Sequence, residues 1–193
     1  MNNGMLIVIS GPSGVGKGTI CKELLQRNPK LALSVSTTTR TPRAGDVDGV
    51  TYHFRTAEAF EAQIENGDFL EWAVYNQNYY GTGIRPVMEQ LAAGRDVLLE
   101  IDVQGALKVK KSFPSRGEPS SAVYIFIVPP DEGALAERLH KRGTDSTEDI
   151  ERRIAESQRE LELQEHYDYI VVNDDLDEAI AEVEKIIEEA KGH

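Results

Sequence analysis

Residues 11–19, GPSGVGKGT, combine glycines and one lysine at a spacing suited to binding phosphate groups. Gly11, Gly14 and Gly16 let backbone N–H groups converge on phosphate oxygens at a helix N-terminus, and Lys17 adds a positive charge. An apolar run precedes the stretch and a helical pattern follows it, which is the context that a phosphate-binding loop requires. The lysine and the flanking strand disfavour the alternative, a glycine-rich turn between a strand and a helix.

The residue after Lys17 is Gly18, where the usual phosphate-binding loop has a Ser or Thr that ligates magnesium. We therefore expect Mg²⁺ to have no direct protein ligand and to be held by phosphate oxygens and water molecules, with Glu100 or Asp102 orienting the waters. The run GKGT resembles the loop of nucleoside monophosphate kinases. This resemblance implies that Thr19 reaches a nucleotide phosphate.

A second group of residues suited to phosphate lies in Ser34–Phe54. Arg40 and Arg43 stand three residues apart, and Tyr52 follows, so that planar donors could surround one phosphate group. Taken alone, this motif would fit a pair of solvated surface arginines better.

Carboxylates occur at two further places. Glu71 precedes Trp72, and Tyr80 and Thr82 follow in the same stretch, 67–82. The run LLEIDVQG contains a pair of acidic residues, Glu100 and Asp102, two apart at the end of a predicted strand and thus on one face.

Short apolar runs alternate with helical patterns along most of the chain, which predicts a mainly parallel α/β sheet flanked by helices, with ligands at the carboxyl ends of its strands. The predicted strands, which we expect to be buried on both faces, are Met5–Ser10, Asp96–Asp102, Ala122–Val128 and Asp168–Asn173. The predicted helices follow Gly16, Ile84, Val103 and Asp131, and the last one covers Leu176–Ala190.

Two regions interrupt this alternation. Residues 34–82 contain many Thr, Tyr, Gly and Arg residues and predict a small antiparallel unit that grips a substrate. Residues 138–153 predict a hinged lid, in which Gly143 stops one helix and Ser146 or Thr147 caps the next. We expect one domain over 1–193, with a core of about 1–33, 84–137 and 155–193, a substrate-binding subdomain of about 34–83 and a lid of about 138–154.

The composition excludes several classes of protein. Hydrophobic residues make up 40% of the chain and no run is long enough to span a membrane, so we expect a globular, cytoplasmic protein. A net charge of −12, all of it arising in residues 131–193, argues against nucleic-acid binding. The single cysteine, Cys21, excludes an internal disulfide and predicts a buried thiol. The sequence is compatible with a homo-oligomer.

Taken together, these motifs resemble the guanylate kinase family. The resemblance runs from about Ile7 to Leu176 and rests on motifs in the family's order: the phosphate-binding loop, TTRTPRAGD, FLEWA, NYYGT, EIDVQGA, RLHKRGTDS and VVNDDLD. Two features differ from the family pattern: Asp46 stands where many relatives have Glu, and the loop 112–121 is longer than usual.

The resemblance implies two nucleotide sites. The ATP site would comprise Gly11, Pro12, Ser13, Gly14, Val15, Gly16, Lys17, Gly18 and Thr19, with Asn173 touching adenine; capping of the last helix is an equally good role for Asn173. GMP would be held through its base by Glu71, Ser36, Thr82 and Asp102, and through its phosphate by Arg40, Arg43, Tyr52 and Tyr80. Arginines of the lid, Arg138, Arg142 and Arg153, would act on the transferring phosphoryl group unless they pair with Glu residues of their own helix.

The implied reaction is the Mg²⁺-dependent transfer of a phosphoryl group from ATP to GMP or dGMP, as part of purine nucleotide metabolism. Guanine offers two donors on one edge, which one carboxylate can accept together, and Glu71 is our choice for that acceptor. Two alternatives remain. One is a guanylate-kinase-like domain that binds proteins and has lost catalysis. The other is a related kinase of a small phosphate such as a ribose bisphosphate.

Overall fold

A computed structural model of the chain describes residues 4–75, 77–113, 122–141 and 147–191. The strands in these residues are β1 (Leu6–Ser10), β2 (Ala32–Leu33), β3 (Thr37–Thr38), β4 (His53–Phe54), β5 (Phe69–Tyr75), β6 (Asn78–Gly83), β7 (Val97–Glu100), β8 (Ala122–Val128) and β9 (Tyr169–Val172). The helices are α1 (Lys17–Arg27), α2 (Ala57–Glu65), α3 (Ile84–Ala92), α4 (Val103–Ser112), α5 (Glu132–Lys141), α6 (Thr147–Leu161) and α7 (Leu176–Lys191); a short 3-10 helix, Glu162–His166, follows α6.

A parallel sheet with the strand order β2-β7-β1-β8-β9 forms the centre of the described chain. Helices cover both of its faces. On one face, Ile20 and Leu24 of α1 pack with Ile180 and Val183 of α7. On the other face, residues of α3 and α4, Leu91 and Val109 among them, form a second core. The parallel α/β fold predicted from the alternating runs is therefore confirmed.

Strand β9 differs from the expectation that every predicted strand is buried on both faces. Val171 is fully buried against the α7 side, whereas Ile170 and Val172 are 46% and 48% exposed. The reason is that β9 is the last strand of the sheet. The expectation of two-sided burial was wrong for this strand. The opposite edge strand, β2, has only two residues and was not predicted.

The second sheet has the order β4-β3-β6-β5 and lies in the region where we expected a small antiparallel unit. Its pairings are antiparallel except between β3 and β4, which run parallel. Helix α2 covers it through Phe60, whose ring stacks on Phe69 at 4.4 Å and on Tyr79 at 5.1 Å between centroids. These aromatic contacts give the small sheet a core of its own.

Helix α4 connects the two sheets. It begins directly beyond the end of β7 and packs against β5, where the Lys108 Nζ donates a hydrogen bond of 2.8 Å to the Trp72 carbonyl. Helices α5 and α6 pack together through buried Leu135 and Ile150. No helix among the described residues is long and apolar enough to cross a membrane.

Candidate active site

A cleft of about 560 Å³ lies between the carboxyl ends of β1 and β7, the small sheet and α6. This is the edge at which parallel α/β sheets bind their ligands. The lining of the cleft includes residues that the sequence analysis assigned to both nucleotides: Gly11, Ser13, Lys17, Ser36, Tyr52, Glu71, Tyr80, Asp102 and Arg153. The fold therefore brings part of each predicted set of residues to one place.

The phosphate-binding loop joins β1 to α1. The ammonium group of Lys17 donates hydrogen bonds to two carbonyls of the loop, those of Gly11 and Pro12. Burial lowers the pKa of Lys17 from its usual value, and the nearby carboxylates of Glu100, Glu160 and Asp102 oppose that shift. The lysine thus lies among acidic groups at the inner end of the cleft.

Asn173 holds this loop from the end of β9. Its side-chain amide donates a hydrogen bond of 2.7 Å to the Val15 carbonyl. A Cβ on Gly16, whose φ is 102°, would lie 2.4 Å from the Asn173 Nδ2. The alternative role of Asn173 as the cap of α7 is wrong, because Asp175 accepts the hydrogen bonds from the first turn of that helix.

Two of the predicted lid arginines reach the loop. Arg138 donates hydrogen bonds to the carbonyls of Val15, at 3.3 Å, and Asn173, at 2.8 Å. Arg153 donates one of 3.1 Å to the Ser13 Oγ. Arg138 therefore braces the loop and the end of β9. The third arginine, Arg142, lies outside the described residues, as do Gly143 and Ser146.

Asp46 orders the predicted arginine pair. Its Oδ2 lies 2.8 Å from the Arg40 Nη2 and also accepts a hydrogen bond of 2.7 Å from the Arg43 backbone N–H. The guanidinium of Arg40 stands over the Tyr52 ring, 5.4 Å from its centroid. Tyr52 and Tyr80 pack edge to face at 5.9 Å. Hence Arg40, Tyr52 and Tyr80 are neighbours, whereas the side chain of Arg43 is exposed.

Glu71 is the most unusual carboxylate of the cleft. It is 7% exposed, and its Oε1 accepts a hydrogen bond of 2.7 Å from the Oγ1 of Thr82, which is also buried. Burial raises the pKa of Glu71 to about 7; the Asp102 carboxylate also raises it, and the Thr82 hydrogen bond lowers it. Keeping a carboxylate charged in a buried position is costly, so this residue is suited to a ligand that supplies donors.

Glu100 and Asp102 occupy different environments. Strand β7 ends at Glu100, and Asp102 lies beyond it as the N-cap of α4, where its Oδ1 accepts a hydrogen bond of 2.7 Å from the Gly105 N–H. The Glu100 Oε1 lies beside the loop instead, 3.2 Å from where a Cβ on Gly18 would stand. Both carboxylates nevertheless line the same cleft.

Comparisons with known proteins identify the family of the chain. The family model for guanylate kinase matches residues 3–190. The chain is 50% identical over 186 residues to a guanylate kinase of Desulfitobacterium hafniense, with 96% of this chain and 90% of that protein covered. It is 52% identical over 186 residues to a guanylate kinase of Synechocystis, with coverages of 96% and 94%. The chain belongs to the guanylate kinase family.

A solved guanylate kinase structure has the same fold as this chain. The crystal structure of guanylate kinase from Anaplasma phagocytophilum superimposes with a TM-score of 0.76 at 30% identity, covering 97% of this chain and 86% of that one. The resemblance inferred from the motifs is thus confirmed. The roles of the individual site residues stay predictions, which the geometry of the cleft supports to different degrees.

Glu160 was not among the predicted site residues, yet it lines the cleft near Lys17. Burial raises its pKa, while Lys17 and the Ser13 backbone N–H lower it. The available signal was its spacing on α6: Arg153, Glu156 and Glu160 follow at intervals of three and four, which places them on one helix face. All three line the cleft.

Proposed function

We propose that this protein is a guanylate kinase that transfers the γ-phosphoryl group of ATP to the phosphate of GMP or dGMP, reversibly giving ADP and GDP. The observation that carries this proposal is the buried, Thr82-bound carboxylate of Glu71 in the same cleft as Lys17. Glu71 suits a base with two adjacent donors, and Lys17 suits phosphate. The reaction belongs to purine nucleotide metabolism.

Glu71 and Asp102 would read the base. An ionised carboxylate accepts both the N1–H and the 2-amino group of guanine, whereas adenine presents an acceptor at N1. Binding adenine would leave the Glu71 carboxylate buried and unpaired, at a cost of about 1–3 kcal/mol or more. Thr82 fixes the rotamer of Glu71, and Ser36 lines the same pocket.

Arg40, Tyr52 and Tyr80 would bind the phosphate of GMP. Asp46 and the Tyr52 ring hold the Arg40 guanidinium in place, which lowers the entropy lost when a phosphate binds. Arg43 shares the carboxylate of Asp46 through its backbone, and its exposed side chain would close on the phosphate from the other side.

The loop 11–19 and α6 would hold ATP. Backbone N–H groups of the loop and the Lys17 ammonium would face the phosphates, and Arg153 donates a hydrogen bond to Ser13 of the same loop. Arg138 and Asn173 both donate to the Val15 carbonyl and would keep the loop in the shape that binds phosphate. We also expect Asn173 to touch adenine and Arg138 to act on the transferring phosphoryl group.

The transfer needs no general base, because the attacking oxygen belongs to a phosphate monoester that is largely ionised near neutral pH. The residues of the cleft align two polyanions and neutralise their charge, with water excluded on closure. Lys17 and Arg153 are the described cationic groups best placed to do so.

The residues around Gly18 suit a magnesium ion carried by the nucleotide. A hydroxyl-bearing side chain at this position would come close to the Glu100 Oε1, so a carboxylate fills the space that the hydroxyl has in other loops. Carboxylates are good acceptors for magnesium-bound water. Glu100 is therefore better placed than Asp102, which is engaged in capping α4. Bound magnesium would neutralise phosphate charge during the transfer.

The experiment that tests this function is an assay of ADP formation with GMP, dGMP, AMP, UMP and ribose 1,5-bisphosphate as acceptors. We expect turnover with GMP and dGMP and at least about tenfold lower kcat/KM with AMP. No turnover with GMP would exclude the function, and a preference for ribose 1,5-bisphosphate would favour the related-kinase alternative.

Lys17→Ala should abolish turnover while GMP still binds. The matched control is Lys22→Ala, which removes an exposed lysine from the same helix and should leave turnover unchanged. Full activity of Lys17→Ala would show that the loop does not act on the phosphates.

A further inference from the structure

Gly105 lies in the first turn of α4, where the carboxylates of Glu71 and Asp102 come together. A Cβ on Gly105 would stand 2.9 Å from the Glu71 Oε2 and 3.3 Å from the Asp102 Oδ1. The shorter distance is one that real Cβ atoms do not show, so one of the groups would have to move. The space that Gly105 leaves empty is thus filled by two acidic side chains.

The backbone conformation does not explain a glycine at this position. Gly105 is helical and is not among the described glycines with positive φ. Glycine weakens a helix relative to alanine, because it loses more conformational freedom on folding. Its N–H donates to Asp102, but any residue other than proline provides that donor. Only the missing side chain distinguishes Gly105 from alanine here.

The oxygen nearest to Gly105 is the one that matters for recognition. Thr82 holds the Oε1 of Glu71, so the Oε2 is the oxygen left beside Gly105 and the Asp102 carboxylate. Glu71 is buried, and it lies on β5, against which α4 packs. A methyl group at residue 105 would therefore turn the Glu71 carboxylate or shift α4 away from β5.

We propose that Gly105 is a positioning residue for base selection: its lack of a side chain lets the carboxylates of Glu71 and Asp102 stand together facing the base. This proposal rests on the proposed function, since it assigns a role within the same GMP site. Gly105 acts through Glu71 and touches no reacting atom.

The test is Gly105→Ala, measured by calorimetric binding of GMP and of ADP and by steady-state kinetics. Misplacing a recognition group by a fraction of an ångström should raise the Kd and KM for GMP on the order of tenfold or more. The Kd for ADP and the KM for ATP should stay unchanged. A general loss of structure would instead weaken the binding of both GMP and ADP.

The matched control is Gly133→Ala. Gly133 also lies in a capped first turn, that of α5, and a Cβ there would stand 3.1 Å from the capping Asp131 Oδ1. It is exposed and does not line the cleft, so the GMP affinity should be that of the wild type. Equal losses of GMP affinity in Gly105→Ala and Gly133→Ala would contradict the proposal.

A double-mutant cycle with Glu71→Ala separates the specific contact from a change in folding. The Glu71→Ala variant lacks the carboxylate. Adding Gly105→Ala to it should therefore weaken GMP binding no further and should not lower the unfolding temperature. If Gly105→Ala alone is poorly folded, recovery in the double variant supports the contact.

A Gly105→Ala variant with wild-type GMP affinity would overturn the proposal and leave the proposed function intact. Wild-type protein that binds ADP but not GMP would overturn both.

Discussion

Glu71 carries its negative charge in a buried position, and this makes GMP recognition sensitive to pH. Only the ionised carboxylate can accept both donors of guanine, and the pKa of Glu71 in the ligand-free protein is about 7. Binding of GMP must therefore release a proton at acidic pH.

We expect GMP to bind roughly tenfold more weakly at pH 6 than at pH 8, as follows from a carboxyl group that titrates near pH 7. Calorimetry at several pH values measures this affinity. Glu71→Gln is the control, because it retains only the pH dependence that comes from the phosphate of GMP itself. An identical pH profile in the two proteins would contradict the role of Glu71.

The stability of the ligand-free protein should respond to pH in the opposite direction. The pKa of Glu71 is raised from 4.5 to about 7, so the folded protein holds this proton more tightly than the unfolded chain does. The contribution to stability is complete below about pH 4.5 and is lost as the pH rises through about 7. In urea unfolding, the free energy of unfolding of the wild type should fall on the order of 3 kcal/mol over this pH range, and that of Glu71→Gln should not.

Asp46 is a residue whose role the sequence left open, and the structure gives it one. Its carboxylate joins the Arg40 side chain to the Arg43 backbone. The Arg43 N–H and the Arg40 guanidinium lower the pKa of Asp46, so it stays ionised at neutral pH. The shorter side chain, compared with the Glu of many relatives, still reaches both groups.

We expect Asp46→Asn to raise the KM for GMP several-fold with a smaller effect on the KM for ATP, because the Arg40 guanidinium loses its charged partner. Steady-state kinetics with each substrate varied measures the two constants. Asp48→Asn is a control of equal charge change, since Asp48 is exposed and its ion pair is with Arg55. A similar rise in both KM values would point to a general loosening of the small sheet.

At the scale of helices and strands, the elements with strong local signals were predicted well. Helices α1 and α5 begin directly after Gly16 and Asp131, as expected, and α3 and α4 begin one residue earlier than expected, at Ile84 and Val103. Strand β2 could not be predicted, since two residues show no periodicity. The exposure of β9 depends on its place at the sheet edge, which an apolar run alone does not reveal.

The candidate site divides in the same way. Lys17, Glu71 and Asp102 belong to motifs that are local in sequence, and the fold brings them into one cleft. The contact of Asn173 with Val15 joins residues 158 positions apart, and no local pattern predicts it. Glu160 reaches Lys17 only because α6 packs beside the phosphate-binding loop.

Helix α6 presents both signs of charge to this loop, so its effect on nucleotide binding is not simply attractive. Arg153 favours an anionic ligand. Glu160, in contrast, lies near Lys17 and the Ser13 N–H, two groups that a phosphate would also contact.

We expect Glu160→Gln to bind ADP several-fold more tightly, because one negative charge near the phosphates is removed. Calorimetry with ADP and without GMP measures this. Glu162→Gln makes the same charge change at an exposed position two residues away and should bind as the wild type does. Weaker binding in Glu160→Gln would mean that the carboxylate helps to hold the nucleotide.

For the whole molecule, the charge distribution makes closure of the cleft essential. The chain carries a net charge of −12, so its overall field repels both nucleotides, and only locally concentrated cations can offset this. Two of these groups, Arg40 and Arg153, lie on different parts of the fold, the small sheet and α6. Because Arg153 already contacts Ser13 of the loop, a transfer that needs both groups must bring the small sheet toward the loop and α6.

We therefore expect GMP together with a non-hydrolysable ATP analogue to reduce the radius of gyration more than either nucleotide does alone, as measured by small-angle X-ray scattering. Glu71→Ala should lose the part of this change that depends on GMP, while Lys22→Ala should behave as the wild type.

Closure also governs the fate of ATP, because an open cleft admits water. Hydrolysis of ATP without GMP should be at least about 100-fold slower than transfer to GMP, as expected if the phosphoryl group becomes reactive only when GMP has closed the cleft. Equal rates with and without GMP would mean that the cations of the cleft act on ATP in the open form, and that closure contributes nothing to the choice between water and GMP.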